Sequence, residues 1–236
     1  MPDPGHPPSR PQEQESGAEL ALLPLAATAG YYLLPDSFQS FAVLQFVPQM
    51  LAFLCLAWWA ACNKSILSKL GCEPAKIPQG LKLGLLTGLL LGPLNTWMIL
   101  GLFPALGYDI SFLTETPHAK IPTFIMVPWF IGVIAGLVEV NFRGFLLGRL
   151  ARLEARMWEL PLLPWFFPLS LIVSALVFAF DPFMTATFRQ LHWIAVWDGL
   201  VWGMIWLRFR NLFATIVAHA IEVMVMYSAV RAALAP

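Results

Sequence analysis

Charge is what this chain has least of. Lys and Arg number 14, Asp and Glu 14, and together they make up 12% of the residues, against about 25% in a soluble domain. The two signs cancel to a net charge of zero, which excludes the basic surface that binds nucleic acid. Cysteine is also scarce. Cys55, Cys62 and Cys72 lack metal-ligand spacing, and their odd number argues against a disulfide framework; they read as apolar or interfacial thiols. The first apolar stretch has neither the basic flank nor the cleavage site of a signal peptide. What the chain does have is apolar: 58% hydrophobic residues, with 18 Phe and 10 Trp, and a mean hydropathy of +0.70. Several runs reach the roughly 20 residues that a helix needs to cross a bilayer. The expected fold class is an all-α polytopic membrane protein, with the lipid bilayer as its first partner.

Residues 1–19 are rich in Pro, Glu, Gln and Ser without apolar periodicity, which predicts a disordered tail. Residues 20–34 form a short run broken by Pro24 and Gly30 that either spans or lies in the interface. Six firmer spans follow, at about 41–61, 83–105, 122–148, 161–181, 190–207 and 211–231, so six to seven helices are expected. Loop 62–82 carries four lysines, 149–159 three arginines and 208–210 two. Between them, 106–120 and 182–189 carry only Lys120 and Arg189. The positive-inside rule therefore places the first set, and the tail if 20–34 spans, in the cytoplasm. Gly84, Gly88 and Gly92 predict a flat face for close helix packing. Trp58, Trp59, Trp158, Trp165 and Trp193 fall near span ends like an aromatic belt, and Pro93, Pro128, Pro164 and Pro168 predict kinks.

Ionisable residues inside the spans are few: Glu139, Arg143, Asp198, His219 and Glu222, with His192 near a span start. Charge in hydrocarbon costs a few kcal/mol per residue on insertion scales. Glu139 and Arg143 are four apart, on one face of a helix. At about 1.5 Å per residue from the basic loops, Glu139, Asp198 and His219 come to a common depth of roughly 13–15 Å. A shared cavity follows as an expectation, lined also by His192 and Asn141. The residues themselves leave three readings open: structural glue fixing helix register, a catalytic or substrate-handling site in which a Glu beside a His activates water, or a histidine ligating a haem or chlorophyll metal. No zinc spacing exists, and the expectation is of no metal and no cofactor.

The run Glu139-Val-Asn-Phe-Arg143-Gly144 resembles the first motif, Glu-Glu-x-x-x-Arg, of the CAAX protease and bacteriocin-processing family of intramembrane endopeptidases. Phe178-Ala-Phe-Asp-Pro182 sits where that family has Phe-x-x-x-His. The stretch from Gly199 through Gly203, Arg208 and Arg210 to His219-Ala-Ile-Glu222 follows the layout of its third motif. The resemblance covers about 122–231 and divides the chain into a tail (1–19), N-terminal transmembrane helices (20–121) and a CAAX-protease-like core (122–231). It implies catalytic roles for Glu139, His219, Arg143 and Glu222, in a cavity with Asp198. It also exposes departures: the family's first Glu, taken to activate the water, falls on Val138, its first His on Pro182, and the Asn-like position on Val223. Three functions remain. The first is a catalytically degenerate relative that binds a membrane-embedded or lipid-modified peptide, or a neighbouring membrane subunit. The second is an active endopeptidase using Glu139 and His219. The third is a cofactor-bearing subunit of a membrane complex. The expected location is a bacterial or archaeal cytoplasmic membrane.

Overall fold

The computed structural model describes residues 15–157 and 168–234, and every regular element among them is helical. The chain folds as an all-α polytopic membrane protein. Helix α1 (Leu22–Tyr31) leads to α2 (Ala42–Cys62) and α3 (Ile77–Trp97). A long helical stretch then runs through α4 (Ile131–Glu139), a π-helical segment (Val140–Leu147) and α5 (Gly148–Met157). Helices α6 (Leu169–Ala179), α7 (Pro182–Phe188), α8 (Ile194–Phe209) and α9 (Leu212–Leu234) complete the bundle.

Among the described residues, four helical stretches are long and apolar enough to cross a membrane: Ala42–Cys62, Ile66–Ala105, Thr123–Met157 and Leu212–Leu234. Leu169–Ala179 and Pro182–Phe209, bent by 51° at their break, pass together as a fifth. Sequence periodicity predicts six to seven spans, and the start of the one read at 161–181 lies outside the described residues. Asp181 caps α7 by accepting from the backbone N–H groups of Phe183 and Met184, and Pro182 stands in its first turn. This arrangement ends α6 at Ala179 and sets the bend between the two pieces. Helix α1, 10 residues continuing from a four-residue 3-10 turn, is not among the stretches long and apolar enough to cross by themselves. The stretches assigned to the tail (residues 1–14) and to Trp158, Pro164 and Trp165 lie outside the described residues.

The glycine row decides how α9 is placed. A Cβ on Gly84 would lie 2.6 Å from Val217 Cβ, on Gly88 2.7 Å from Ile221 Cβ, and on Gly92 2.9 Å from Val225 Cβ. Gly80 extends the row, against Phe213. Each step of four on α3 matches a step of four on α9, so the two helices run parallel with their backbones in near contact. Gly199 and Gly203 of α8 face Ala175 and Leu171 of α6 in the opposite order, which makes that pair antiparallel. One end of the bundle joins residues 70–76 to 206–212, through Trp206 Nε1 donating to Leu70 O and Asn211 Nδ2 to Lys76 O. At the other end Tyr227 and Arg231 donate to backbone carbonyls of residues 118–121.

Of the predicted belt, Trp58 and Trp193 are exposed, but Trp59 is fully buried. Pro93 lies within α3 and Pro128 within a π-helical turn, while Pro168 precedes α6. Substituting alanine at Gly88 forces its methyl group into Ile221 and the Ala218 carbonyl. Thermal unfolding in detergent should show a loss of about 1–3 kcal/mol for Gly88→Ala. Gly132→Ala, where nothing lies within 4 Å, should change stability by less than about 1 kcal/mol.

Candidate functional site

The π-helical segment falls on the first motif. The helix is π-helical over Val140–Leu147, inside a run from residue 141 to 150 that is wholly buried; such interruptions in helices recur at functional sites. Glu139 ends α4 just before it, and Arg143 remains one turn on, with its Nη1 3.1 Å from Glu139 Oε1. His219, on α9, donates from Nδ1 to the same Oε1 at 2.9 Å. Glu139 and Arg143 are 0% and 1% exposed, so each charge depends on the other for compensation.

Aromatic rings close the cluster. The Arg143 guanidinium lies 4.3 Å from the Phe178 ring centroid and 4.9 Å from that of Trp202, where cation–π attraction adds to the ion pair. The His219 imidazole stacks on Trp202 at 4.4 Å. Phe178 is the first residue of the second motif, so here it serves as a ring against Arg143 and Phe142. Glu139 Oε2 and both terminal nitrogens of Arg143 lack hydrogen-bond partners among the described residues.

A second cluster surrounds Asn95, near the end of α3. Its Nδ2 donates to Asp198 Oδ1 and Oδ2 at 3.1 and 3.2 Å, and to Glu222 Oε1 at 2.6 Å. Its Oδ1 accepts from Trp197 Nε1 at 3.0 Å. The Asp198 and Glu222 carboxyls thus converge on one amide nitrogen. Arg143 lies within electrostatic reach of Asp198 and Glu222 as well as Glu139, so the clusters form one buried network. Reading the spans for ionisable groups alone passes over Asn95. A search for any hydrogen-bonding side chain inside an apolar run finds it.

Two of the expected cavity residues stand elsewhere. His192 is half-buried against Phe180 and Trp193, with Nδ1 on the Arg189 carbonyl; it starts the span at the end opposite the basic loops, too far along the helix to join His219. Asn141 points to another side of its helix, into a small pocket shared with Gln49, Thr28 and Asp181, because residues two apart on a helix face nearly opposite ways. The other residues expected to share a cavity are packed together. Glu139, Arg143, Asp198, His219 and Glu222 are all buried, beneath Phe178 and Trp202. Among the described residues no group of three or more metal-ligating side chains comes together.

Removing the Glu139 charge leaves Arg143 buried without its counter-ion. Glu139→Gln should therefore cost about 3–5 kcal/mol in detergent unfolding, and adding Arg143→Met in the same chain should recover part of that loss. Equal stability of the single and double variants would show that the pair is not coupled.

Comparison with known proteins agrees with the motifs. Residues 121–225 match the family model described as Rce1-like, type II CAAX prenyl endopeptidase. No curated protein and no solved structure matches the chain. The segment that supplies Glu139, Arg143, Asp198, His219 and Glu222 is thus the part of the chain similar to the Rce1-like, type II CAAX prenyl endopeptidases.

Proposed function

We propose that this CAAX protease-like membrane protein is a non-cleaving relative that binds a membrane-embedded or lipid-modified peptide, or a neighbouring membrane subunit. The observation that carries this reading is the position of Glu139, whose Oε1 is shared between His219 and Arg143. It acts as the anchor of a packed network. The two family positions on which hydrolysis depends are held here by residues with other work. Val138, in place of the water-activating Glu, packs against the apolar cluster of Leu91, Phe142 and Val177. Pro182, in place of the first His, starts α7 behind the Asp181 cap. A valine has no lone pair to take a proton, and a proline cannot stabilise an oxyanion through its side chain. The basic loops would face the cytoplasm of a bacterial or archaeal cell.

One observation favours an active endopeptidase as the second reading. Glu139 Oε2 and Glu222 Oε2 are buried without hydrogen-bond partners among the described residues, so each keeps an acceptor for water. In that mechanism Glu139 Oε2 takes a proton from the attacking water and Nε2–H of an imidazolium His219 steadies the oxyanion. Arg143 orients Glu139, and Phe178 and Trp202 move apart to admit the peptide. The cofactor-bearing reading has no comparable support, since His219 Nδ1 is engaged by Glu139 and its ring face by Trp202.

The full-length protein in nanodiscs, incubated with prenylated and unmodified membrane peptides and followed by mass spectrometry, decides between the two. The expected result is retention of peptide by the protein with no product that depends on His219. A product made by the wild type and lost in His219→Ala would establish the endopeptidase instead.

A further inference from the structure

The basic end of the bundle contains a charged site that the Glu139 network does not use. Arg149, six residues beyond Arg143, is 3% exposed and stacks over the Trp59 ring at 4.0 Å. Trp59 is held by Phe145, its ring centroid 5.9 Å away, and by Cys55. Arginine and indole are therefore set by the helices α2 and α5 themselves. Between them sits the Glu15 carboxylate, ion-paired to Arg149 Nε and accepting from Trp59 Nε1 at 3.1 Å.

The segment bearing Glu15 is read as a peptide would be. Asn63 accepts from the Ser16 N–H at 3.1 Å and donates to the Ser16 carbonyl at 2.9 Å, a two-way contact with backbone that is indifferent to side chain. Arg156 donates to the Glu15 carbonyl and to the Glu19 carboxylate, both at 3.0 Å. Gly17, at φ 73°, supplies a left-handed turn, and Ala18 and Ala21 are fully buried. Arg149 and Arg156 meet the carboxylates of Glu15 and Glu19 one to one, and Arg149 Nη1 has no hydrogen-bond partner among the described residues. The site therefore suits an acidic ligand.

We propose that Trp59, Asn63, Arg149 and Arg156 form a receptor for an acidic peptide segment, occupied in the free protein by the chain's own residues 15–21. The occupant is a peptide because the contacts read a carboxylate and a backbone amide pair together. A headgroup phosphate would use the arginines and leave Asn63 without its role. The inference stands on residues outside the Glu139 network, so its failure leaves the proposed function untouched.

A labelled peptide Glu-Ser-Gly-Ala-Glu-Leu-Ala, copying residues 15–21, tests it on the full-length protein in nanodiscs of neutral lipid. The tethered segment competes at an effective concentration on the order of millimolar. Glu15→Gln weakens that competitor, so the peptide should bind this variant about tenfold more tightly than wild type. In the Glu15→Gln background, Arg149→Lys should lower the affinity, and so should Trp59→Phe, which removes only the N–H donor and keeps an aromatic ring. A peptide with Gln at both Glu positions should not bind. Equal binding of the two peptides, or no binding to folded Glu15→Gln protein at millimolar peptide, would overturn the proposal. So would a gain in retention of anionic lipid by Glu15→Gln without a gain for the peptide, which would make this a headgroup site.

Discussion

A single carboxylate oxygen, Glu139 Oε1, receives both His219 Nδ1 and Arg143 Nη1, and the rest of the core is arranged so that it can. A guanidinium and a carboxylate in the middle of a bundle are tolerated only as a pair whose remaining surfaces are covered. Phe178 and Trp202 provide that cover for Arg143, and Trp202 does so again for His219. Three sequence-distant elements, the α4–α5 stretch, α6 and α8, are thereby tied to α9 by one pair of charges. The glycine row then fixes α9 from its other side. Because Gly80, Gly84, Gly88 and Gly92 let α3 lie against α9 almost backbone to backbone, Asn95 comes within reach of Glu222 and Asp198.

Much of this is legible in the sequence, for reasons that differ by residue. Glu139, Arg143, Asp198, His219 and Glu222 stand out because charge in an apolar run must face inward. The helical period also places Glu139 and Arg143 on one face without any coordinates. The glycine row shows because a residue without a side chain every fourth position has few other uses in a membrane helix. What the sequence leaves hidden depends on rotation and on local breaks. Asn141, two residues after Glu139, faces the opposite side and a different pocket, and the π-helical turn that follows Glu139 is not encoded in the hydropathy. The Asp181–Pro182 pair sets a 51° bend between α6 and the helix that follows, an angle that hydropathy does not encode. Trp59 resembles an interfacial tryptophan by position, yet is buried by Arg149 and Phe145, neither of them close to it in sequence.

The division between kept and replaced positions follows what each residue is bonded to. Glu139, Arg143 and His219 each contact a different element, so changing any of them breaks a cross-helix tie inside the bilayer. The positions of the family's water-activating Glu and first His are not tied in that way. Val138 sits against Leu91 and Phe142, in surroundings that would strand a carboxylate without a donor, at a cost of several kcal/mol. Pro182 serves the backbone by opening α7. A Glu placed at Val138 would meet that apolar cluster, and a His placed at Pro182 would remove the ring from the first turn of α7. The groups that tie the helices together, Glu139, Arg143 and His219, are therefore distinct from the two positions where the family's Glu and His would stand, and they differ from them in what they touch.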